Sequence, residues 1–445
     1  MTEFLLFAFA ALCLLILAQG FWRCERQIQY PFLASAVFLG WMFPQLLGLT
    51  NHAWLPPSAL DKTIFMAILC LTAVWVGDSI NRQPARLFDW AYDRGRLMGG
   101  AYCLMIFGAF FFYQVTLLAA DAGTSWTGPI TIYSFFAQAL SFGFALALVL
   151  FARKSTWPSL IAVCFGLVFY LDRIVVHGRR AAMAELVLML LMVVWFNRRW
   201  QPSRTLMAGA LVLGALVINS IGDYRQTMLG DSYLQGSYGW SGAGLSELMK
   251  IDFIGNMQDI AKGETNNFEL TNATLIIESA DRSLRFDYGL SHWNGFVDQY
   301  VPGQWIGHDN KTALKISLDN GVRNYFGHTP HTGSTLTGLS DAFQSFWYFG
   351  AIKFFLISII LSRWYRSAFQ SNLAAQLVMM LSITPALHAI THSTHSFFVM
   401  FLQLLVFVSP VLLFARTRRR NGQSPFSQTL PRTTITDHQK LIKID

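Results

Sequence analysis

Apolar runs about as long as a bilayer is thick recur along this chain, and that recurrence limits the folds open to it. A helix needs roughly 20 apolar residues to cross the hydrocarbon core. Runs of about that length lie near residues 4–20, 31–49, 63–80, 97–119, 130–152, 157–175, 181–197, 205–221, 339–362, 373–391 and 396–415. Inside lipid, each backbone N–H and C=O must be satisfied within its own segment, so such runs become helices. The 445-residue chain is 53% hydrophobic and only 13% charged, whereas a soluble domain carries about 25% charge. The pattern predicts an all-α polytopic membrane protein with about 11 transmembrane helices.

Four regions follow: 1–220 with about eight spans, 221–338 as one large extramembrane loop, 339–415 with about three spans, and a polar tail at 416–445. The linkers sort by charge. "FWRCERQ", "NRQPARLFDWAYDRGR", "FARKS", "FNRRWQPSR", "LSRWYRS" and "ARTRRRNG" are basic, which predicts the cytoplasmic side. "GLTNHAWLPPSALD", "AADAGTSWTGP", the 221–338 loop and "HAITHSTHS" are poor in Lys and Arg, and are expected outside. The N-terminus is then outside and the C-terminus inside. Glu3 precedes the first run while Arg23 and Arg26 follow it, the reverse of a cleaved signal, so it reads as a retained helix. The net charge of +8 comes mostly from these short clusters and does not indicate nucleic-acid binding. Five cysteines, none in the loop, form neither a disulfide framework nor a CxxC metal pair.

One linker breaks the charge rule. "LDRIVVHGRRA" joins the sixth and seventh spans, and alternation places Arg173, Arg179 and Arg180 outside. Snorkelling, or pairing with Asp172 and Glu185, is one reading. The other is an anion site, since charge at a membrane boundary is a functional hypothesis by default. Arginine suits a diphosphate because its planar fork donates two parallel hydrogen bonds.

The loop carries eight basic and thirteen acidic residues and is rich in aromatics, among them Tyr233, Tyr238, Trp240, Trp293, Tyr300, Trp305 and Tyr325. Such rings offer a flat apolar face and a polar tip, which suits sugars but also a small loop core. "TNATLIIESADRSLRF" reads as a helix capped at Asn272 or Thr271. Arg225 ends the eighth span beside Asp223. His328, His331 and Asp341 return the chain to the membrane and are the candidate general bases. His388, His392 and His395 follow i, i+4, i+7 spacing, which a continuous helix would put on one face, though His395 reads as lying past the turn. Without HExxH or a nearby Cys, they read as lining of an outward cavity or a proton relay, and no metal ligand set is assigned. No Walker A motif, nucleophile elbow or internal repeat is present. Lys353 and Glu185 are the main charges within the spans.

Taken together, these features resemble the bacterial Wzy-type oligosaccharide repeat-unit polymerases, which include O-antigen and enterobacterial common antigen polymerases. Gly178-Arg179-Arg180-Ala181 matches the family's Gly-x-Arg-small motif, with Arg180 in the place of its arginine. "DQYVPGQWIGHDNK" is similar to its loop element through Tyr300, Pro302, Trp305 and Lys311. "TGLSDAFQSFWYFGAIKFF" resembles its return helix, with Asp341 where Glu is usual, and Arg225 matches a boundary arginine. The resemblance implies a fold like the GT-C glycosyltransferases, an inner-membrane location, and a periplasmic loop. It also implies an undecaprenyl-pyrophosphate-linked oligosaccharide as donor, no cofactor and no metal, and a chain-length regulator protein as partner. Arg173, Arg179, Arg180 and Arg225 would bind pyrophosphate, and Tyr300, Trp305, Lys311 and Tyr325 would contact sugar. The alternatives are an O-antigen ligase using the same donor and a transporter or flippase for a lipid-linked sugar.

Overall fold

A computed structural model describes residues 1–52, 54–80, 83–86, 88–121, 129–176, 179–220, 251–263, 269–301, 303–317, 326 and 335–417. Every element of more than a single bridge among these residues is helical. Helices α1 (Thr2–Trp22), α2 (Tyr30–Leu49), α3 (Ser58–Ile80), α4 (Arg94–Leu118), α5 (Ile130–Arg153) and α6 (Trp157–Val175) are each long and apolar enough to cross a membrane. So are α7 (Arg180–Arg198), the broken segment Gly338–Phe369, α16 (Leu373–Thr391) and α17 (His395–Ala415). That makes ten such segments among the described residues, not eleven. The remaining expected span is α8 (Arg204–Asn219), apolar but of 16 residues, or about 24 Å. It stops where the Asn219 side chain donates to the Gly40 carbonyl, partway along α2 (2.9 Å).

All the basic linkers gather at one end of the bundle. Arg153 donates to the Ser371 carbonyl (2.6 Å), Arg366 to the Asp78 carbonyl (3.0 Å) and Tyr365 to the Glu25 carbonyl (2.8 Å). Arg199 donates to the Phe369 carbonyl, and the Asp93 amide to the Ala415 carbonyl (2.8 Å). These bonds satisfy carbonyls left open at helix ends. The core lies between, with α5 buried along most of its length, and Gly108 and Gly143 let α4 and α5 approach backbone to backbone.

The opposite end is capped by pieces of the large loop: α9 (Phe253–Lys262), α10 (Glu269–Ser283), α11 (Leu290–Tyr300), α12 (Gly303–Ile306) and α13 (His308–Ala313). Helix α10 sinks among the spans, with ten consecutive-turn residues from Leu270 to Ala280 buried apart from Thr271. Lys62 of α3 grips it through Glu278 (2.8 Å) and Asp281 (2.5 Å). Burial raises the Glu278 pKa, but hydrogen bonds from Lys62 and Arg282 more than reverse this and hold it below the usual carboxylate range. The expected cap at Asn272 or Thr271 is corrected, because the helix already runs at Glu269. Asn272 is 4% exposed and donates to the Thr335 carbonyl (3.4 Å), so a tertiary contact takes the side chain that capping would have used.

The 32-residue segment Gly338–Phe369 breaks into α14 (Gly338–Phe346), a 3-10 turn (Trp347–Ala351) and α15 (Ile352–Phe369). Trp347 takes a φ of 54°, a conformation uncommon for a bulky residue. Two glycines permit the bend. A Cβ on Gly338 would lie 1.7 Å from the Ala389 oxygen, and one on Gly350 would lie 1.8 Å from the Ala342 oxygen. Gly338→Ala and Gly350→Ala are expected to cost about 1–3 kcal/mol or more through overpacking. Gly209→Ala, with no neighbour within 4 Å of the added Cβ, is expected to leave thermal unfolding unchanged or raise its midpoint. Fluorescence-detected size exclusion after heating checks the contrast, and equal melting of all three would contradict the packing account.

Candidate functional site

Helix α14 carries Asp341 in its first turn, where the helix dipole favours negative charge. The carboxylate turns inward. It accepts from Lys353 Nζ (3.1 Å), the Thr394 amide (2.9 Å), Thr394 Oγ1 and Ser393 Oγ (3.3 Å). Three of these bonds fall on Oδ2 and one on Oδ1, so Oδ1 keeps an acceptor position on the side of His292. Lys353 is saturated: it also donates to Ser345 Oγ (2.8 Å) and to the Asp341 carbonyl (3.3 Å), and is 7% exposed. A cation and a carboxylate withdrawn from water this far persist only as a hydrogen-bonded pair.

His292 of α11 completes the cluster. Its Nδ1 lies 3.6 Å from Asp341, and its Nε2 lies 3.0 Å from Thr394 Oγ1 and 3.4 Å from Lys353 Nζ. His395, opening α17, packs edge-on against it with ring centroids 5.5 Å apart, and His395 Nε2 is buried without a hydrogen-bond partner. Burial pushes the His292 pKa below the ordinary imidazole value; Asp341 pulls it back up, Lys353 pushes it further down, and Asp287 raises it slightly. The net shift is downward, which favours the neutral ring. Asp341 organises Lys353, Thr394 and His292 in this arrangement.

The second group lies where α6 meets α7. Helix α6 starts at the basic end, since Tyr102 of α4 donates to the Pro158 carbonyl (2.6 Å), and so finishes at the opposite end. Arg173 sits on a π-helical turn, Asp172–Val176, with its guanidinium 5.7 Å from the Tyr170 ring centroid. Tyr170 donates to Ser141 Oγ (3.0 Å), and Glu185 lies near enough to feel the Arg173 charge. The pairing of Arg173 with Glu185 is thus electrostatic, and Arg173 Nε is buried without a hydrogen-bond partner. The Arg179 amide donates to the Arg173 carbonyl (3.0 Å), Arg179 is the N-cap of α7, and Arg180 is its first residue. No acidic residue occupies the first turn of α7. Helix α16 packs against α5 and α7 and also against α14 and α15. No contact joins Asp341 to Arg173 among the described residues.

Of the residues expected to touch sugar, Tyr300 packs its ring against Phe135 of α5 (5.3 Å between centroids) and Phe296 (5.4 Å). Burial pushes its hydroxyl up to about 12. Lys311 donates to the Asp298 carbonyl (2.9 Å), bracing the end of α11. Trp293 stacks on Phe296 and donates to the Leu314 carbonyl (2.8 Å). These rings form a small loop core that docks on α5. His177, Arg225, Tyr325, His328 and His331 lie outside the described residues, as do the side chains of Arg180 and Trp305. His388 and His392 stack at the end of α16, centroids 5.1 Å apart, while His395 belongs to the next helix and faces His292. His292 carried no sequence signal of its own, because nothing in "GLSHWNG" shows that Asp341, Lys353, Thr394 and His395, far downstream, will meet it.

Asp341→Asn or Lys353→Met alone is expected to cost about 3–5 kcal/mol of stability, by stranding a buried polar group, and the double variant to regain most of that loss. Thermal unfolding of the purified proteins measures the cycle, and additive losses would contradict a direct pair. Comparison of the chain with protein-family models, with curated proteins and with solved structures returns no match.

Proposed function

We propose that this protein polymerises undecaprenyl-pyrophosphate-linked oligosaccharide repeat units into a surface polysaccharide, at the periplasmic face of the bacterial inner membrane. The observation that carries the reading is the arginine group at the joint of α6 and α7. These cations stand at the bundle end away from every basic linker, against the orientation signal. They also stand at the positive end of α7, where acidic residues are the usual choice. Two electrostatic costs at one place are offset when an anion binds there. A lipid diphosphate whose sugar-bearing end lies at the headgroup level has the charge and depth required.

In the proposed reaction a hydroxyl oxygen of one repeat unit attacks the anomeric carbon of another. The C–O bond to phosphate breaks, the electron pair leaves with the undecaprenyl pyrophosphate, and the configuration at carbon inverts. Arg180, with Arg173, Arg179 and Arg225, holds the departing diphosphate. Each such fixed donor contributes about 3 kcal/mol in a water-poor site. A group of the loop or its return helix takes the hydroxyl proton: His328, His331 or Asp341, with His292 beside Asp341 as a further candidate. No metal enters this scheme, because guanidinium groups neutralise the leaving charge.

Arg180→Glu is expected to abolish long polymer and leave single repeat units attached to lipid A in cells making the glycan. The variant's membrane abundance, followed by a fluorescent tag, controls for folding. Normal chain lengths in this variant would overturn the role of Arg180. Complete loss of attached glycan would instead favour the ligase reading.

A further inference from the structure

A cavity of about 430 Å³ opens at the basic end of the bundle, far from both polar groups described above. Gln19, Trp22 and Arg23 from the end of α1, Arg26 from the following turn, and Trp75 and Ser79 from α3 line it. Gln19 Oε1 accepts from both Arg26 Nη1 (3.0 Å) and Trp75 Nε1 (3.3 Å), which fixes Arg26 at the wall. Asp78 acts on Arg26 but is shared with Arg366, and Glu25 is exposed in the same turn. Arg23 has no carboxylate partner among the described residues.

The rim is apolar. Trp22 is 83% exposed and Ile80 is 65% exposed, and the outer face of α1 continues this surface through Phe7 and Leu14. Tryptophan favours the headgroup level of a membrane, with its ring among acyl chains and its N–H toward water. A free phosphate would use the arginines but not this rim. Basic pockets between spans on the cytoplasmic side are suited to anionic lipid headgroups. We propose that this cavity binds the phosphodiester headgroup of an anionic membrane phospholipid, with Arg23 and Arg26 on the phosphate and Trp22 and Trp75 along the glycerol and upper chains. The inference is independent of the polymerisation reading, since none of these residues belongs to that chemistry.

Native mass spectrometry of the delipidated full-length protein tests it, with phosphatidylglycerol, phosphatidylcholine and glycerol phosphate as probes. Phosphatidylglycerol is expected to bind roughly tenfold or more tightly than phosphatidylcholine, and glycerol phosphate far more weakly than the lipid. Arg23→Gln/Arg26→Gln is expected to remove the preference with unchanged helical circular dichroism. Arg23→Gln alone, at an exposed position, is the safer variant for folding and is expected to reduce it. Equal affinity for the two lipids, an unchanged preference in the variants, or glycerol phosphate binding as tightly as the lipid would overturn the proposal.

Discussion

A buried ion pair, Asp341 with Lys353, fixes how the loop-bearing end of this bundle is assembled. Neither charge is stable in a low-dielectric interior alone, so the elements that carry them cannot separate cheaply. Asp341 belongs to α14 and Lys353 to α15, so the pair spans the break between them. The same carboxylate takes the amide and hydroxyl of Thr394, which fixes the turn between α16 and α17. His292 then joins the loop helix α11 to this junction. One interaction therefore locates a broken span, a turn and part of the extramembrane loop.

Positive charge divides the molecule by a second constraint. Several arginines near helix ends donate to carbonyls of neighbouring linkers at the basic end, as Arg153, Arg199 and Arg366 do. Arg173 differs: it lies at the other end, over the Tyr170 ring and near Glu185, with Nε unbonded. Arg179 and Arg180 extend that group into the first turn of α7. The Tyr170–Ser141 hydrogen bond lies beside Arg173 within the bundle. Cations gathered at one helix joint are the physical content of the proposed diphosphate site.

Hydropathy located the spans well because lipid imposes one local rule on every residue of a crossing helix. The expected 373–391 and 157–175 coincide with Leu373–Thr391 and Trp157–Val175. Non-local features were not legible. Helix α10 has the composition of a loop helix, and its burial depends on Lys62 reaching Glu278 from more than 200 residues away. The break at Trp347 depends on Gly338 and Gly350 meeting the backbone of other turns, so a continuous apolar run concealed it. Asp341 was legible as an acidic residue at a boundary, but its partners Thr394 and His292 come from separate segments. Tyr300 and Trp293 had two readings from sequence, and the contacts with Phe135, Phe296 and Leu314 came from segments it could not pair with them.

The central claim is that the outer arginines serve glycosidic bond formation on a lipid diphosphate. Its most direct test is incubation of the purified protein with an undecaprenyl-pyrophosphate oligosaccharide, with the products sized on a gel. A ladder spaced by one repeat unit is the predicted result. A substrate band that stays unchanged, while the lipid-linked sugar crosses vesicle membranes containing the protein, would contradict the claim and make the protein a carrier.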